Sequence, residues 1–196
     1  MVRVGEKVTD GVRIGDRIAN GARVFAVLAR QTADRLGISP AKVQEILDSP
    51  KALRPDPTTY LPSARFTEHA SAFEAGASRF TLKSALDKYG LAQREGTTFV
   101  VSRSEADRML ATAGGDPRKL EQMLGLPKGQ LDSAELVVID FSQQAMKDFE
   151  VRIQTGRESG ANDLWLPSGL LPSGANEAVI NGAKATADHF RITVIR

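Results

Sequence analysis

Residues 151–180 read V-R-I-Q-T-G-R-E-S-G-A-N-D-L-W-L-P-S-G-L-L-P-S-G-A-N-E-A-V-I. The stretch holds the chain's single tryptophan, Trp165, and a tandem Leu-Pro-Ser-Gly (Leu166 to Gly169, then Leu171 to Gly174). Short apolar runs flank it, Phe149 to Ile153 and Ala178 to Ile180, and both are expected to be strands. Between them neither a helical nor a strand period appears. A compact domain rarely keeps so long an irregular segment unless it is functional or disordered. Its Trp, Leu and Pro content argues against a disordered linker, so an ordered site loop is expected. The fold has to be built around a loop that supplies no regular structure of its own.

Outward from that loop, short strands and helices mix without a βαβ repeat, which predicts an α+β fold: a small mixed or antiparallel sheet with short helices. Leu136 to Phe141 is a continuous apolar run of strand length, Thr97 to Val101 is rich in β-branched residues, and Ser78 to Leu82 is a third candidate. Phe190 to Ile195 alternates Phe190, Ile192 and Val194 and closes the set. Ala64 to Glu74 is expected to be a helix presenting Phe66, Ala70 and Phe73 on one side, and a short helix should end at Tyr89-Gly90. Ser102 and Glu105 have the spacing of a capping box for a helix through Leu110. Asp116-Pro117 should open another helix that ends at Gly125.

Toward the N-terminus, Val24 to Leu36 has helical spacing with Gly37 as its stop. Ser39-Pro40 then opens a helix over Ala41 to Leu47. Residues 1–24 carry a degenerate ten-residue repeat, V-R-V-G-E-K-V-T-D-G then V-R-I-G-D-R-I-A-N-G. Asp10-Gly11 and Asn20-Gly21 between alternating residues signal hairpins. The same residues also trace a helical face, at a cost of about 1 kcal/mol for each of its glycines. Strands and helix both remain open, with the balance toward strands. Ser49 to Pro62 holds four prolines and no period, which places a boundary between an N-terminal segment, 1–59, and a main domain, 60–196.

Composition narrows the chemistry. The 196 residues hold no cysteine and two histidines, His69 and His189. Disulfides, thiolate metal sites and a cysteine nucleophile are therefore excluded, and no metal centre is expected. No apolar run approaches the roughly 18 residues of a membrane span. The N-terminus lacks the apolar core of a secretory signal. Residues 1–60 carry 10 Lys and Arg against 7 Asp and Glu, and residues 61–196 carry 16 against 17. Grip on several phosphates favours a basic surplus, so the balance disfavours a nuclease.

Each candidate residue has a functional and a structural reading. Glu177 enters a strand from a glycine-rich turn, where a carboxylate can stabilise a cationic transition state or lie solvated at a strand end. Arg152 and Arg157 can clasp phosphates, or Arg157 can form a surface pair with Glu158 or Asp163. Trp165 can stack on a ring or plug the core. Asn162 can satisfy the loop backbone through an Asx-turn or bind a ligand amide. His69 lies mid-helix near Phe73, a position usual for a core histidine; a ribonuclease would have to join it with His189. No P-loop and no G-x-G-x-x-G after a strand is present.

From about Tyr60 onward the sequence resembles the C-terminal toxin domains of bacterial polymorphic toxins, such as those of contact-dependent and type VI systems. The resemblance rests, in order, on Y-L-P-S (Tyr60 to Ser63), His69 and Phe73, G-A-S-R-F (Gly76 to Phe80), K-Y-G followed by G-T-T-F-V (Gly96 to Val100), G-G-D-P-R-K-L-E-Q-M-L-G (Gly114 to Gly125), Arg152, G-R-E-S-G-A-N (Gly156 to Asn162), Trp165 and G-A-N-E-A-V-I (Gly174 to Ile180). It covers about 135 residues and implies a secreted or cell-delivered effector, a pretoxin segment over 1–59 and a cognate immunity protein.

The order of strand, glycine-rich turn, carboxylate and closing strand is also similar to ADP-ribosyltransferase-like toxins and NAD glycohydrolases. That similarity implies NAD as substrate, Glu177 acting at the nicotinamide ribose, and Arg79 as the early-strand arginine. Arg152, with Arg157 and Glu158 near it, is the alternative diphosphate clamp, and Asn162 and Trp165 would shape the pocket. The superfamily's Ser-x-Ser element has no counterpart here, and the necrotizing-toxin type places glutamine where this chain has Glu177. A ribonuclease using His69 or His189 with an arginine, and a non-enzymatic binding module built on the 151–180 loop, are the competing readings.

Overall fold

The computed structural model describes residues 27, 30–132 and 135–195. The ten-residue repeat and the start of the first expected helix lie outside the described residues. Helix α1 occupies residues 30–36 and stops at Gly37, whose φ of 65° suits glycine. Ser39 caps α2 (Pro40–Asp48) by accepting from the Lys42 amide, with Pro40 in the first turn as expected. The proline-rich stretch that follows makes two short 3₁₀ turns, Lys51–Leu53 and Pro57–Thr59.

Helix α3 (Ser63–Ala72) forms where expected, but its inward face is different. Arg65 and His69 are buried and lead on to buried Phe73, whereas Ala70 is exposed and Phe66 only half-buried. The reason lies in what the helix meets. Its partner is the polar backbone of the 168–177 loop, so hydrogen-bond donors take the positions that an apolar core would have given to Phe66 and Ala70.

The five strands form one antiparallel sheet in the order β4-β2-β1-β3-β5. They are β1 (Ala77–Leu82), β2 (Thr98–Ser102), β3 (Leu136–Phe141), β4 (Glu177–Ile180) and β5 (Phe190–Val194). The α+β expectation therefore holds. On one face Ala77, Val100, Ile139, Phe141, Ala178 and Ile180 pack against Phe73, Phe149 and α7 (Gln143–Asp148). On the other, Val101 and Leu136 pack under α5 (Arg103–Ala113) and α6 (Pro117–Leu124). Strand β3 contributes to both clusters, which is why it reads as an unbroken apolar run. Helix α4 (Lys83–Tyr89) links β1 toward β2.

The ladders are unequal. β1 pairs with β3 over six residues and β2 with β4 over four, but β1 and β2 share only Ala77↔Ser102 and Ser78↔Val101. Beyond those two pairs the sheet forks, with β1, β3 and β5 on one side and β2 and β4 on the other.

Two local expectations are corrected. The Phe149–Ile153 strand is reduced to a single bridge, Arg152↔Val179, because β4 offers its outer edge to one residue before the loop turns away. Ser102 is the N-cap residue of α5 but makes no capping bond. Its hydroxyl donates instead to Glu105 at 2.9 Å, and Glu105 accepts the Asn176 amide at 2.6 Å. The carboxylate is drawn out of the capping box because the loop's N–H needs an acceptor more than the helix end does.

Gly76 ends the α3 turn at φ 113°, and a Cβ there would lie 2.6 Å from the Phe141 carbonyl oxygen. We expect Gly76→Ala to lower unfolding free energy by at least about 2 kcal/mol in a denaturant melt, from backbone strain plus overlap.

Candidate functional site

A cavity of about 230 Å³ opens in the fork of the sheet. Its walls come from β1, from Phe99 and Val101 on β2, from Leu131, and from the 160–172 loop, with Glu177 at its edge. Glu177 pairs in register with Val101, and Val101 with Ser78, so the carboxylate stands two strands from β1 beside the point where the ladders separate.

Glu177 Oε2 accepts a 2.6 Å hydrogen bond from the amide Nε2 of Gln154, which is fully buried. Burial pushes the Glu177 carboxyl up to about 8, the negative charge of Glu158 adds to the rise, and Gln154 opposes it. At neutral pH the group is therefore mostly protonated. Glu158 behaves oppositely. Burial alone would raise it, but Arg152 Nη1 at 2.8 Å and the Thr155 amide at 3.1 Å bring it below the ordinary carboxylate range. Two nearby carboxylates are thus held in different protonation states, an arrangement typical of acid–base chemistry.

His69 supports Glu177 from the backbone side. Its Nε2 donates 2.8 Å to the Glu177 carbonyl oxygen, which fixes the tautomer because a carbonyl only accepts. Burial lowers the imidazole to about 4, so it is neutral. The ring also packs on Phe73 and leaves no room for a side chain at Gly169. His189 keeps different company, Thr186, Asp148 and Phe149, and no contact joins the two histidines.

Arg79 lines the same cavity as Glu177. Its guanidinium donates to the Leu91 carbonyl, is lowered by burial, and has no carboxylate partner among the described residues. Asn162 and Trp165 line the cavity too. Asn162 is occupied at both ends, donating 3.0 Å to the Gly125 carbonyl and accepting from the Leu164 amide at 2.8 Å, so the Asx-turn reading holds. Trp165 is 5% exposed, with the Arg54 guanidinium 4.6 Å from its ring centroid and Gly156 packed directly against the ring. Arg152 is committed to Glu158, and Arg157 lies exposed near Thr155 and Asp56; none of these three lines the cavity.

The structure thus gathers Glu177, Arg79, Asn162 and Trp165 around one space, backs it with His69, and sets Arg152, Glu158 and Arg157 just outside. Sequence reasoning missed Gln154 and Arg65. Gln154 follows Arg152 in the polar register of V-R-I-Q-T and so carried no sign of its burial. Arg65 gave none either. Five buried side-chain polar atoms among the described residues lack a partner: Arg54 Nε, Tyr60 Oη, Gln154 Oε1, Glu158 Oε2 and Trp165 Nε1. All belong to residues 54–60 and 154–165.

Among the described residues no cluster of three or more metal-ligating side chains occurs, and no helix is long and apolar enough to cross a membrane. No family model and no curated protein matches this chain.

A carboxyl raised from its unfolded value near 4.5 to about 8 favours the folded state only while protonated. Its contribution is fully present below about pH 4.5 and declines, by at most about 1.4 kcal/mol per pH unit, until about pH 8. Glu177→Gln removes that decline. The variant should melt with the wild type at pH 4.5 and progressively above it between pH 5 and 8, measured by thermal unfolding across the range.

Proposed function

We propose that this chain is a bacterial toxin effector that consumes NAD by cleaving the nicotinamide–ribose bond, with water or a protein side chain accepting ADP-ribose. The observation that carries the reading is the shared cavity in the sheet fork, with the Glu177 carboxyl and the uncompensated Arg79 guanidinium both on its wall. A half-buried guanidinium with no counter-ion among the described residues is an arrangement that an anionic ligand relieves. Arg79 is therefore the better diphosphate clamp, and Arg152 is the poorer one because Glu158 already neutralises it.

In this reading the positively charged nicotinamide ring, placed near Glu177, favours loss of its proton. The resulting carboxylate stabilises the developing oxocarbenium ion and accepts from a ribose hydroxyl. The bond between C1′ and the ring nitrogen breaks, its electron pair stays with nicotinamide, and the acceptor oxygen bonds C1′ and gives up its proton. Trp165 and Asn162 shape the wall rather than carry charge. The resemblance to polymorphic toxins supports delivery into a target cell and a cognate immunity protein as partner. The ribonuclease alternative rests on a titrating histidine, and a neutral His69 bonded to a backbone carbonyl is ill suited to that work.

The test is cellular NAD and total RNA after induction of the full chain in a bacterium. NAD should fall while RNA stays intact, and Glu177→Gln should leave NAD at its starting level. Cut RNA with steady NAD would overturn the proposal. With purified protein, kcat/KM for NAD should climb with pH and level off above about pH 8, because the ionised form of Glu177 is the active one.

A further inference from the structure

We infer that residues 51–54 form a strap that sets the wall of the cavity, with Lys51 and Arg54 as positioning residues for the site loop. Lys51 Nζ donates to the Ala161 carbonyl at 2.8 Å and more distantly to that of Ser159 at 3.5 Å. Arg54 Nη1 donates 2.8 Å to the Gly156 carbonyl while its guanidinium covers the Trp165 ring. Ala161 and Trp165 both line the cavity. Each strap cation therefore holds the backbone or ring of a loop segment whose inner side faces the candidate ligand.

The turn itself shows that these contacts are its purpose. Lys51–Leu53 buries no residue, and Leu53, its one large apolar side chain, is 74% exposed. Apolar packing does not hold the turn in place. Pro50 at its N-cap and Pro55 just after it limit the backbone on both sides, so the two donors are presented at a fixed spacing. Among the described residues neither cation forms a salt bridge with a carboxylate; Lys51 Nζ and Arg54 Nη1 go to loop carbonyls that no strand partner satisfies. Gly156, gripped by Arg54, has φ 77° and would drive a Cβ to within 2.7 Å of the Trp165 ring, so the grip acts where the loop backbone touches the tryptophan directly. The candidate site thus extends across the expected boundary at residue 59.

The strap is tested in the full chain with Lys51→Met and Arg54→Met, singly and together. Methionine keeps the apolar stem, so the cover over Trp165 is retained while the donors are lost. The double variant should keep its thermal midpoint within a few degrees. Its amide exchange over residues 156–165 should quicken, and acrylamide quenching of Trp165, the sole tryptophan, should rise by about threefold or more. Lys51→Met alone, which does not touch the ring, should show part of the same rise, and Arg54→Lys should restore protection. Unchanged exchange and quenching in the double variant would overturn the strap. Those readouts do not depend on the NAD reading. The catalytic arm does: KM for NAD should rise more than kcat falls, and absence of NAD cleavage in the wild type would defeat that reading while leaving the fluorescence result to judge the strap.

Discussion

The structure depends on how the backbone of residues 151–176 is satisfied. A segment of that length with two isolated bridges and a few local turns pairs only part of its own N–H and C=O groups, and burying the rest unpaired would cost more than the fold can absorb. The missing partners come from charged side chains elsewhere. Arg65 reaches the Ser168 and Gly169 carbonyls and the Asn176 side chain; Arg54, Lys51 and Arg35 reach those of Gly156, Ala161 and Gly174. Acceptors are supplied the same way, Glu95 to the Ser159 amide and Glu105 to that of Asn176. These bonds are not equivalent. Arg65 is 6% exposed and satisfies several acceptors at once, so its loss would leave buried groups unpaired, at about 1–3 kcal/mol for each. Lys51 and Arg35 sit at the surface, where such bonds steer conformation more than they stabilise it.

That requirement also explains what was legible in the sequence. Strands β1 to β5 and most helix caps follow from local rules: β-branched runs, Ser39-Pro40, Asp116-Pro117 and glycine stops. The importance of the loop was legible because its composition matched neither disorder nor regular structure. Its fastening was not. His69 was legible as a core histidine beside Phe73, but Arg65, one turn before it, carried no such sign, because a helix face reads as polar whether it meets water or another segment's carbonyls. The same ambiguity hid Glu105. Its capping-box spacing is genuine, but a tertiary N–H competed for the carboxylate and won. Gln154 was hidden for a different reason: its role is defined by Glu177, 23 positions away.

The sheet fork links packing to chemistry. A fully laddered β1–β2 pair would close the space that Phe99, Val101 and the loop enclose. A two-residue ladder keeps the halves joined at Ala77 and Ser78 while leaving them apart further on. The apolar clusters on either face hold the halves in place, so the fork does not depend on its own hydrogen bonds for rigidity.

The charges around the fork then follow from the enclosure. A carboxyl in such a space either finds a cation or takes up a proton. Arg152 goes to Glu158, which stays ionised, and Glu177, with only a neutral amide as partner, stays protonated. Arg79 could have paired with Glu177 had the chain placed them in contact, and the site would then have been electrically quiet. Kept apart on one cavity wall, Arg79 retains its charge against the Leu91 carbonyl and Glu177 its proton beside Gln154, so neither group neutralises the other.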